Sequence, residues 1–140
     1  MADPLKSFNF RIEIDGIDRG GFTDCTGLDS SQTPISYREG TDALTGRKIP
    51  GVNVYSNIVL KWGLSDDRQL YDWRQQAVDG VVERKNGSII LLDDQGNEKV
   101  RWNFFNAWPT KWVGPAFSAA ATTAIAVESI EIAHEGVVRA

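Results

Sequence analysis

Apolar and polar side chains alternate in several segments of the chain, which is the pattern typical of β-strands. The plainest case is FNFRIEI, where apolar residues occupy every second position from Phe8 to Ile14 and polar residues lie between them. Asp15 and Gly16 follow at once, and this pair predicts a turn. Weaker alternation indicates further strands in the first half of the chain, at residues 21–28, 33–39 and 55–62.

The spacing of the apolar residues changes in the middle of the chain. In SDDRQLYDWRQQAVDG, Leu70 and Trp73 begin a series of apolar residues at helical spacing. Asp66 is placed to cap the first turn, and Gly80 supplies a stop. The sequence therefore predicts one helix, over about residues 66–79.

The carboxyl-terminal half returns to strand patterns. SIILLDD and EKVRWNFFNAW flank a polar segment at residues 94–97, and we expect them to pair as a hairpin. In AIAVESIEIAHEG the apolar residues change parity near Glu128 and Ser129, which predicts a bulge or a strand that passes between sheets. Residues 1–140 are thus predicted to form one mainly β domain, a two-layer antiparallel β-sandwich or partial barrel with one outer α-helix.

An aromatic run, WNFFNAWPTKWVGP, begins at Trp102. In an extended strand Trp102, Phe104 and Trp108 share one face, and Phe105 lies on the other. A strand with bulky groups on both faces needs cover on both, from a second layer of its own domain or from another copy of the chain. These four aromatic residues are therefore predicted to serve in subunit packing.

Composition and charge exclude several classes of protein. The chain has 140 residues and a formal net charge of -4, and no basic stripe that would grip nucleic acid. Cys25 is its single cysteine, so an internal disulfide is excluded. The amino terminus lacks a signal-peptide pattern, and no apolar run reaches the roughly 18 residues of a membrane helix. We expect synthesis and assembly in the cytoplasm.

Candidate chemistry is sparse. His134 is the single histidine, and neither a zinc motif nor a nucleophile elbow accompanies it. A structural histidine at the end of a strand is the favoured interpretation, with a catalytic role as the alternative. We predict no catalytic residue, no metal site and no cofactor, hence no enzyme, and this favours a protein that assembles.

Four segments of the chain, taken in their order, form a recognisable set. FNFRIEIDGIDRGGFTDCTGLDS is followed by KIPGVNVYSNIVLKWGLSDDRQLYDW, then by SIILLDDQGNEKVRWNFFNAWPTKW and AVESIEIAHEG. This ordered set resembles the inner-tube proteins of contractile phage tails and related contractile injection systems. The GxFxxxxGL segment, the junction from IxLKWGL to the helix, the WxFxNAWPxKW run and the terminal ESIEIAHEG carry the resemblance.

The resemblance implies a hexameric ring in which the sheets of neighbouring subunits join into one β-barrel around a lumen. Rings then stack into a rigid tube within a contractile sheath, with baseplate and tube-cap proteins at its ends, and the tube conducts effector protein or DNA. The particle is a virion tail or an extracellular or cytoplasmic injection system, and no membrane-spanning segment is expected.

The resemblance also implies a role for the polar segment at about residues 38–51, which is predicted to be an extended loop that contacts the adjacent ring. Its charged residues are the predicted inter-ring contacts: Arg38, Glu39, Asp42, Arg47 and Lys48. The alternative for this segment is a solvated loop. The alternative for the whole chain is a monomeric β-barrel that binds a small ligand in its interior.

Overall fold

The computed structural model describes residues 5, 9–17, 21–37, 40, 46–120 and 125–140, which form nine strands and one helix. The first five strands are β1 (Phe10–Ile14), β2 (Phe22–Thr26), β3 (Ser30–Tyr37), β4 (Arg47–Tyr55) and β5 (Ile58–Gly63). The helix α1 (Gln69–Val78) follows. The remaining strands are β6 (Lys85–Leu92), β7 (Glu98–Val113), β8 (Val127–Ala133) and β9 (Gly136–Arg139).

Seven strands form one folded antiparallel sheet in the order β1-β6-β7-β8-β5-β2, and β9 also pairs with β7. The 16-residue strand β7 crosses the whole domain. Its first half pairs with β6 and β9, and its second half pairs with β8. The strand therefore joins two layers, which confirms the predicted mainly β, antiparallel fold with one helix.

The core lies between these two layers and is filled by large side chains. Alternate residues of β5 and β8 point into it, as the strand period requires. Helix α1 adds Leu70 and Trp73, and the Trp73 indole Nε1 donates a hydrogen bond to the Glu83 carbonyl at 2.8 Å. Large side chains of the core cluster that are at most 1% exposed are Ile58, Leu60, Phe104, Ile130 and Ile132.

The change of layer occurs in β7 and not in the last long strand. Gly87 pairs with Phe104 and Lys85 with Ala107, so one extra residue of β7 is accommodated around Asn106. Asn106 has a φ of 53°, the left-handed conformation that asparagine tolerates better than most residues. The bulge predicted near residues 128–129 is therefore wrong, since β8 pairs with β5 in continuous register. Ile125, whose parity suggested the switch, precedes β8 and is 79% exposed.

Helix α1 begins later than predicted. Asp67, not Asp66, holds its first turn, because the Asp67 Oδ1 accepts a hydrogen bond from the Gln69 backbone N–H at 2.9 Å. The helix ends at Val78, and Gly80 follows with a φ of 93°. The helix therefore ends just before Gly80, as predicted.

The segment predicted as a loop over residues 38–51 is partly strand. Residues 47–51 belong to β4, which pairs with β3 in a separate two-stranded antiparallel sheet. This strand was not predicted because it contains Pro50 and Gly51, and proline and glycine are unfavourable inside strands. Here Pro50 lies opposite Pro34 beside a register shift, where neither missing N–H group interrupts a wider sheet.

Candidate assembly surfaces

The β3–β4 hairpin presents apolar side chains to solvent. Ile35 lies directly opposite Ile49, and their side chains are 54% and 42% exposed. Every residue of β3 is exposed, and β4 has only two half-buried positions. We call this set the hairpin surface: Ile35, Tyr37, Ile49, Val52 and Val54. An isolated two-stranded hairpin is marginally stable in water, so a hairpin with this composition favours contact with another surface.

The charged residues predicted for inter-ring contact divide into two groups. Arg47 and Lys48 lie in β4, opposite Tyr37 and Ser36, and so flank the apolar pair at the outer part of the hairpin. Arg38, Glu39 and Asp42 lie outside the described residues. The apolar members of the hairpin surface were not predicted as an assembly surface. The alternation of Val52 and Val54 with polar neighbours was a usable signal for a strand at this position.

His134 stands where the hairpin joins the main sheet. Its Nε2 lies 2.9 Å from the Ser56 carbonyl oxygen, and its ring contacts Tyr55 at 5.7 Å and Phe104 at 6.4 Å between centroids. Within the described part of the chain its buried Nδ1 has no hydrogen-bond partner. The ring therefore ties the end of β4 to β7 and the end of β8. This geometry is that of the structural histidine predicted from the sequence.

The four aromatic residues predicted for subunit packing have different surroundings. Phe104 is 1% exposed and belongs to the core, and Trp102 is half-buried on the same face of β7. Phe105 is 39% exposed on the opposite face. Because of the bulge at Asn106, Trp108 does not share the face of Phe104 as predicted, and it lies half-buried on the other side. Phe105 is thus the member most available to another molecule.

The bulge itself is held by a polar cluster. The Asn106 backbone N–H donates to the Asn86 Oδ1 at 2.9 Å, and its Nδ2 donates to the Glu135 Oε2 at 2.8 Å. Arg84 lies 3.6 Å from the other carboxylate oxygen of Glu135 and donates to the Asn106 carbonyl at 3.4 Å. These contacts satisfy the backbone groups that the bulge removes from the ladder and fix the angle between the two halves of β7.

The outer face of β1, β6 and β7 carries an ion-pair network. Arg101 contacts Glu98 at 2.6 Å and Glu13 at 3.3 Å, and Arg11 contacts Glu13 at 3.2 Å. The hydrogen bond from Arg101 lowers the pKa of the Glu98 carboxyl and raises that of the Arg101 guanidinium. Opposite charges therefore compensate one another on this face, which leaves a polar surface with little net charge.

A second apolar area lies beside the helix. The Trp112 indole Nε1 donates to the buried Glu128 carboxylate at 2.9 Å, and its ring packs edge-on against Tyr71 at 5.3 Å. Tyr71 in turn lies under the Arg68 guanidinium at 5.6 Å. Exposed apolar residues continue this area along the ends of β7 and β8: Val113, Phe117, Ile125 and Val127. Sequence analysis did not identify this surface.

Neither a metal site nor a membrane helix is found in the described part of the chain. Its histidine, cysteine and acidic residues nowhere form a group of three or more suited to a metal ion. Among the same residues, no helix has the length and apolar character needed to cross a membrane.

The family model described as T4-like virus tail tube protein gp19 matches residues 6–138 of the chain. The chain belongs to this family. It is therefore a structural tail tube protein, as the resemblance in sequence implied.

Solved structures agree with this tail tube assignment. The chain is 30% identical, with a TM-score of 0.84, to a chain of the PVC sheath-tube complex of an extracellular contractile injection system, and the match covers 98% of this chain and 91% of that chain. It is 29% identical, with a TM-score of 0.82, to a chain of the anti-feeding prophage tube-terminating cap, covering 100% and 93%. Hcp1 from Flavobacterium johnsoniae, at 17% identity, a TM-score of 0.59 and 94% coverage of both chains, shares the fold. No curated protein matches the chain in sequence.

The alternative of a monomeric ligand-binding barrel is not supported for this tail tube protein. A ligand barrel needs an open interior, whereas the space between the layers here is filled by side chains such as Ile58, Leu60 and Trp62.

Proposed function

We propose that this tail tube protein closes into hexameric rings, and that the rings stack into the hollow inner tube of a contractile particle. The hairpin surface is the observation that supports this most directly. Its two strands project from the domain with large apolar side chains exposed, an arrangement that is unfavourable for a monomer and suited to an interface.

Ring closure is also supported by the ends of the sheet. In one subunit β1 and β2 are the two end strands of the seven-stranded sheet. Such edges expose unpaired backbone N–H and C=O groups, which natural proteins cover, charge or close. Pairing between neighbouring subunits in a closed ring removes the edges altogether.

Stacking of the rings is assigned to the charged residues beside the hairpin surface. Arg47 and Lys48 are the proposed inter-ring contacts, together with Arg38, Glu39 and Asp42 of the same segment. A single exposed ion pair contributes about 0 to 1 kcal/mol, but a ring repeats each contact in every subunit.

The proposed partners are a contractile sheath, a baseplate and a tube cap. The solved relatives include chains from a sheath-tube complex and from a tube-terminating cap, at 30% and 29% identity. The proposed particle is a phage tail or an injection system that is assembled in the cytoplasm. Its tube conducts cargo, effector protein or DNA, through the target envelope, and the chain itself is proposed to have no catalytic activity.

Native mass spectrometry of the purified chain over a range of concentrations tests the hexamer. We expect six subunits and multiples of six. The variant Ile35→Asp with Ile49→Asp should remain folded by circular dichroism and lose these species, whereas the control Val81→Asp with Val82→Asp, at exposed positions after helix α1, should retain them. A wild-type chain that stays monomeric at every concentration would contradict the proposal.

A further inference from the structure

The β3–β4 hairpin joins the rest of the domain at its base. Its two strands pack mainly on one another, so packing along their length does not fix the direction in which the hairpin points. Two chain segments form the base, residues 27–29 before β3 and residues 56–57 after β4. Gly27 lies so close to the second segment that a Cβ there would meet the Asn57 carbonyl oxygen. The orientation of the hairpin is therefore set by contacts at these two segments.

His134 is the side chain that contacts the second segment from the main sheet. Its Nε2 lies 2.9 Å from the Ser56 carbonyl oxygen. A carbonyl oxygen accepts hydrogen bonds and cannot donate, so Nε2 carries the hydrogen and donates it. The ring also packs against Tyr55, the last residue of β4, and against Phe104, which is buried in the core. One side chain thus connects the hairpin base to the core of the domain.

The second ring nitrogen of His134 has no partner. Its Nδ1 is buried, and none of the residues that the structure describes forms a hydrogen bond with it. With the hydrogen on Nε2, the neutral ring leaves Nδ1 as an acceptor. A proton added there creates a charged N–H donor that lacks an acceptor, and an unpaired buried charge is far more unfavourable than an unpaired neutral acceptor. The site therefore fits the neutral Nε2–H tautomer and not the imidazolium.

The charged groups around the imidazole do not supply the missing acceptor. The Glu135 carboxylate, next in sequence, belongs to the cluster that holds the bulge, where it pairs with Arg84. Asp29 and Arg139 line the hollow beside Tyr55, and their opposite charges offset one another. On β7 the imidazole faces an uncharged phenylalanine ring. Among the described residues, none of these groups is a hydrogen-bond partner of Nδ1.

We propose that the neutral Nε2–H form of His134 fixes the orientation of the β3–β4 hairpin, and that uptake of a second proton at Nδ1 releases it. The protonated ring must move to bring its new N–H group to solvent or to an acceptor. This movement breaks the hydrogen bond to the Ser56 carbonyl and the contact with Tyr55. His134 is thus a positioning residue that acts through the end of β4, and it makes the orientation of the hairpin depend on pH. The device lies within one subunit and goes beyond the proposed function.

The tautomer can be measured directly in the wild-type chain. His134 is the single histidine, so the imidazole ¹⁵N NMR signals of the chain belong to this residue. At pH 8 we expect the neutral ring with its hydrogen on Nε2. A ring that carries its hydrogen on Nδ1 at this pH would overturn the proposal.

Hydrogen exchange followed by mass spectrometry measures the release of the hairpin. The protection of peptides from β4, corrected for the intrinsic exchange rate at each pH, is compared with that of peptides from β6 in the same sample. Histidine is the side chain that ordinarily changes charge between pH 5 and 8. We expect the protection of β4 relative to β6 to fall at least threefold from pH 8 to pH 5. An unchanged ratio would overturn the proposal.

Two substitutions separate the proton from the rest of the side chain. In His134→Gln the amide nitrogen takes about the place of Nε2 and can donate to the Ser56 carbonyl, but it does not titrate. This variant should protect β4 at pH 8 and show no change at pH 5. His134→Leu cannot donate, so β4 should be poorly protected at both pH values. A pH response of His134→Gln equal to that of the wild type would overturn the proposal.

The same comparison keeps this inference separate from the proposed function. Wild type and His134→Gln are compared in the same oligomeric state, so an effect of pH on assembly itself does not enter the difference between them. A response that is present in the wild type and absent from His134→Gln supports the inference even if the chain never forms a ring. Hexameric rings with no such difference would overturn the inference and leave the tube in place.

Discussion

Ile35 lies directly opposite Ile49 in the β3–β4 hairpin, and both side chains are exposed to solvent. Directly opposed β-branched residues stabilise a strand pair, but two strands alone do not bury enough apolar area to be stable in water. The pair therefore helps to hold the register of the hairpin. It also leaves an apolar surface exposed in the monomer, which assembly would cover. This relationship connects the fold of one subunit to the proposed tube.

Charge reversal on the hairpin should separate folding from stacking. We expect Arg47→Glu with Lys48→Glu to remain folded and to form rings, but to give shorter and fewer tubes than the wild type at any salt concentration. The control Lys99→Glu with Lys111→Glu makes the same change in net charge outside the hairpin. Tube length by negative-stain microscopy is the measurement, and normal tubes from the hairpin variant would remove these residues from the stacking interface.

Adjacent aromatic residues of β7 should respond in opposite ways to truncation. Phe104→Ala removes a core ring and should lower the free energy of unfolding by about 3 to 5 kcal/mol. Phe105→Ala should leave this free energy nearly unchanged and weaken assembly, because its ring is exposed in the subunit. Urea unfolding with sedimentation distinguishes the two effects. Equal losses of stability would show that Phe105 also belongs to the core.

The backbone conformation of the bulge predicts that glycine at position 106 is more stable than alanine, the reverse of the usual order in a strand. Asn106→Ala loses the contact with Glu135 and places a Cβ-bearing residue in the left-handed region, which costs about 1 to 2 kcal/mol. Asn106→Gly loses the same contact without that strain, so it should be the more stable of the two variants. Thermal unfolding of both variants provides the comparison. If alanine proves as stable as glycine, the conformation of the bulge does not constrain this residue.

The turn between β6 and β7 predicts a pH dependence. The Asp93 carboxylate accepts hydrogen bonds from the backbone N–H groups of Asn97 at 2.8 Å and Gln95 at 2.9 Å, and Lys99 lies 3.8 Å away. The pKa of Asp93 is lowered below its ordinary value of 3.8, and the largest cause is the hydrogen bond from the Asn97 backbone N–H.

A carboxyl group with a lowered pKa in the folded state stabilises the protein at pH values above its unfolded pKa. That stability is lost as the pH falls through the folded pKa. Asp93→Asn should therefore be less stable than the wild type at pH 7, and the two urea midpoints should converge as the pH falls through the lowered folded-state pKa of Asp93. A constant difference across this pH range would contradict the assignment.

Local patterns in the sequence predicted much of the fold. The alternation before Asp15 identified β1, because alternate side chains of a strand face the same way whichever strand it pairs with. The polar segment at residues 94–97 identified the β6–β7 hairpin, because these two strands are neighbours in sequence. Helix α1 was recognised from the spacing of Leu70 and Trp73, both of which are buried.

Two features of the fold were not predicted, for different reasons. Strand β4 contains Pro50 and Gly51, which are unfavourable inside strands, and these two residues outweighed the short alternation of Val52 and Val54 with polar neighbours. The bulge depends on Asn86 and Glu135, which lie 20 and 29 residues from Asn106. Because these partners are distant in sequence, the alternation in β7 predicts a regular strand. That prediction places Trp108 on the wrong face.

Electron microscopy of the purified chain is the decisive test of the proposed tube, because a tube subunit must form a ring before rings can stack. We expect ring-shaped or tubular particles whose end views average to six-fold symmetry with a central hollow. A uniform monomer at all concentrations, or particles of a different symmetry without a lumen, would contradict the account.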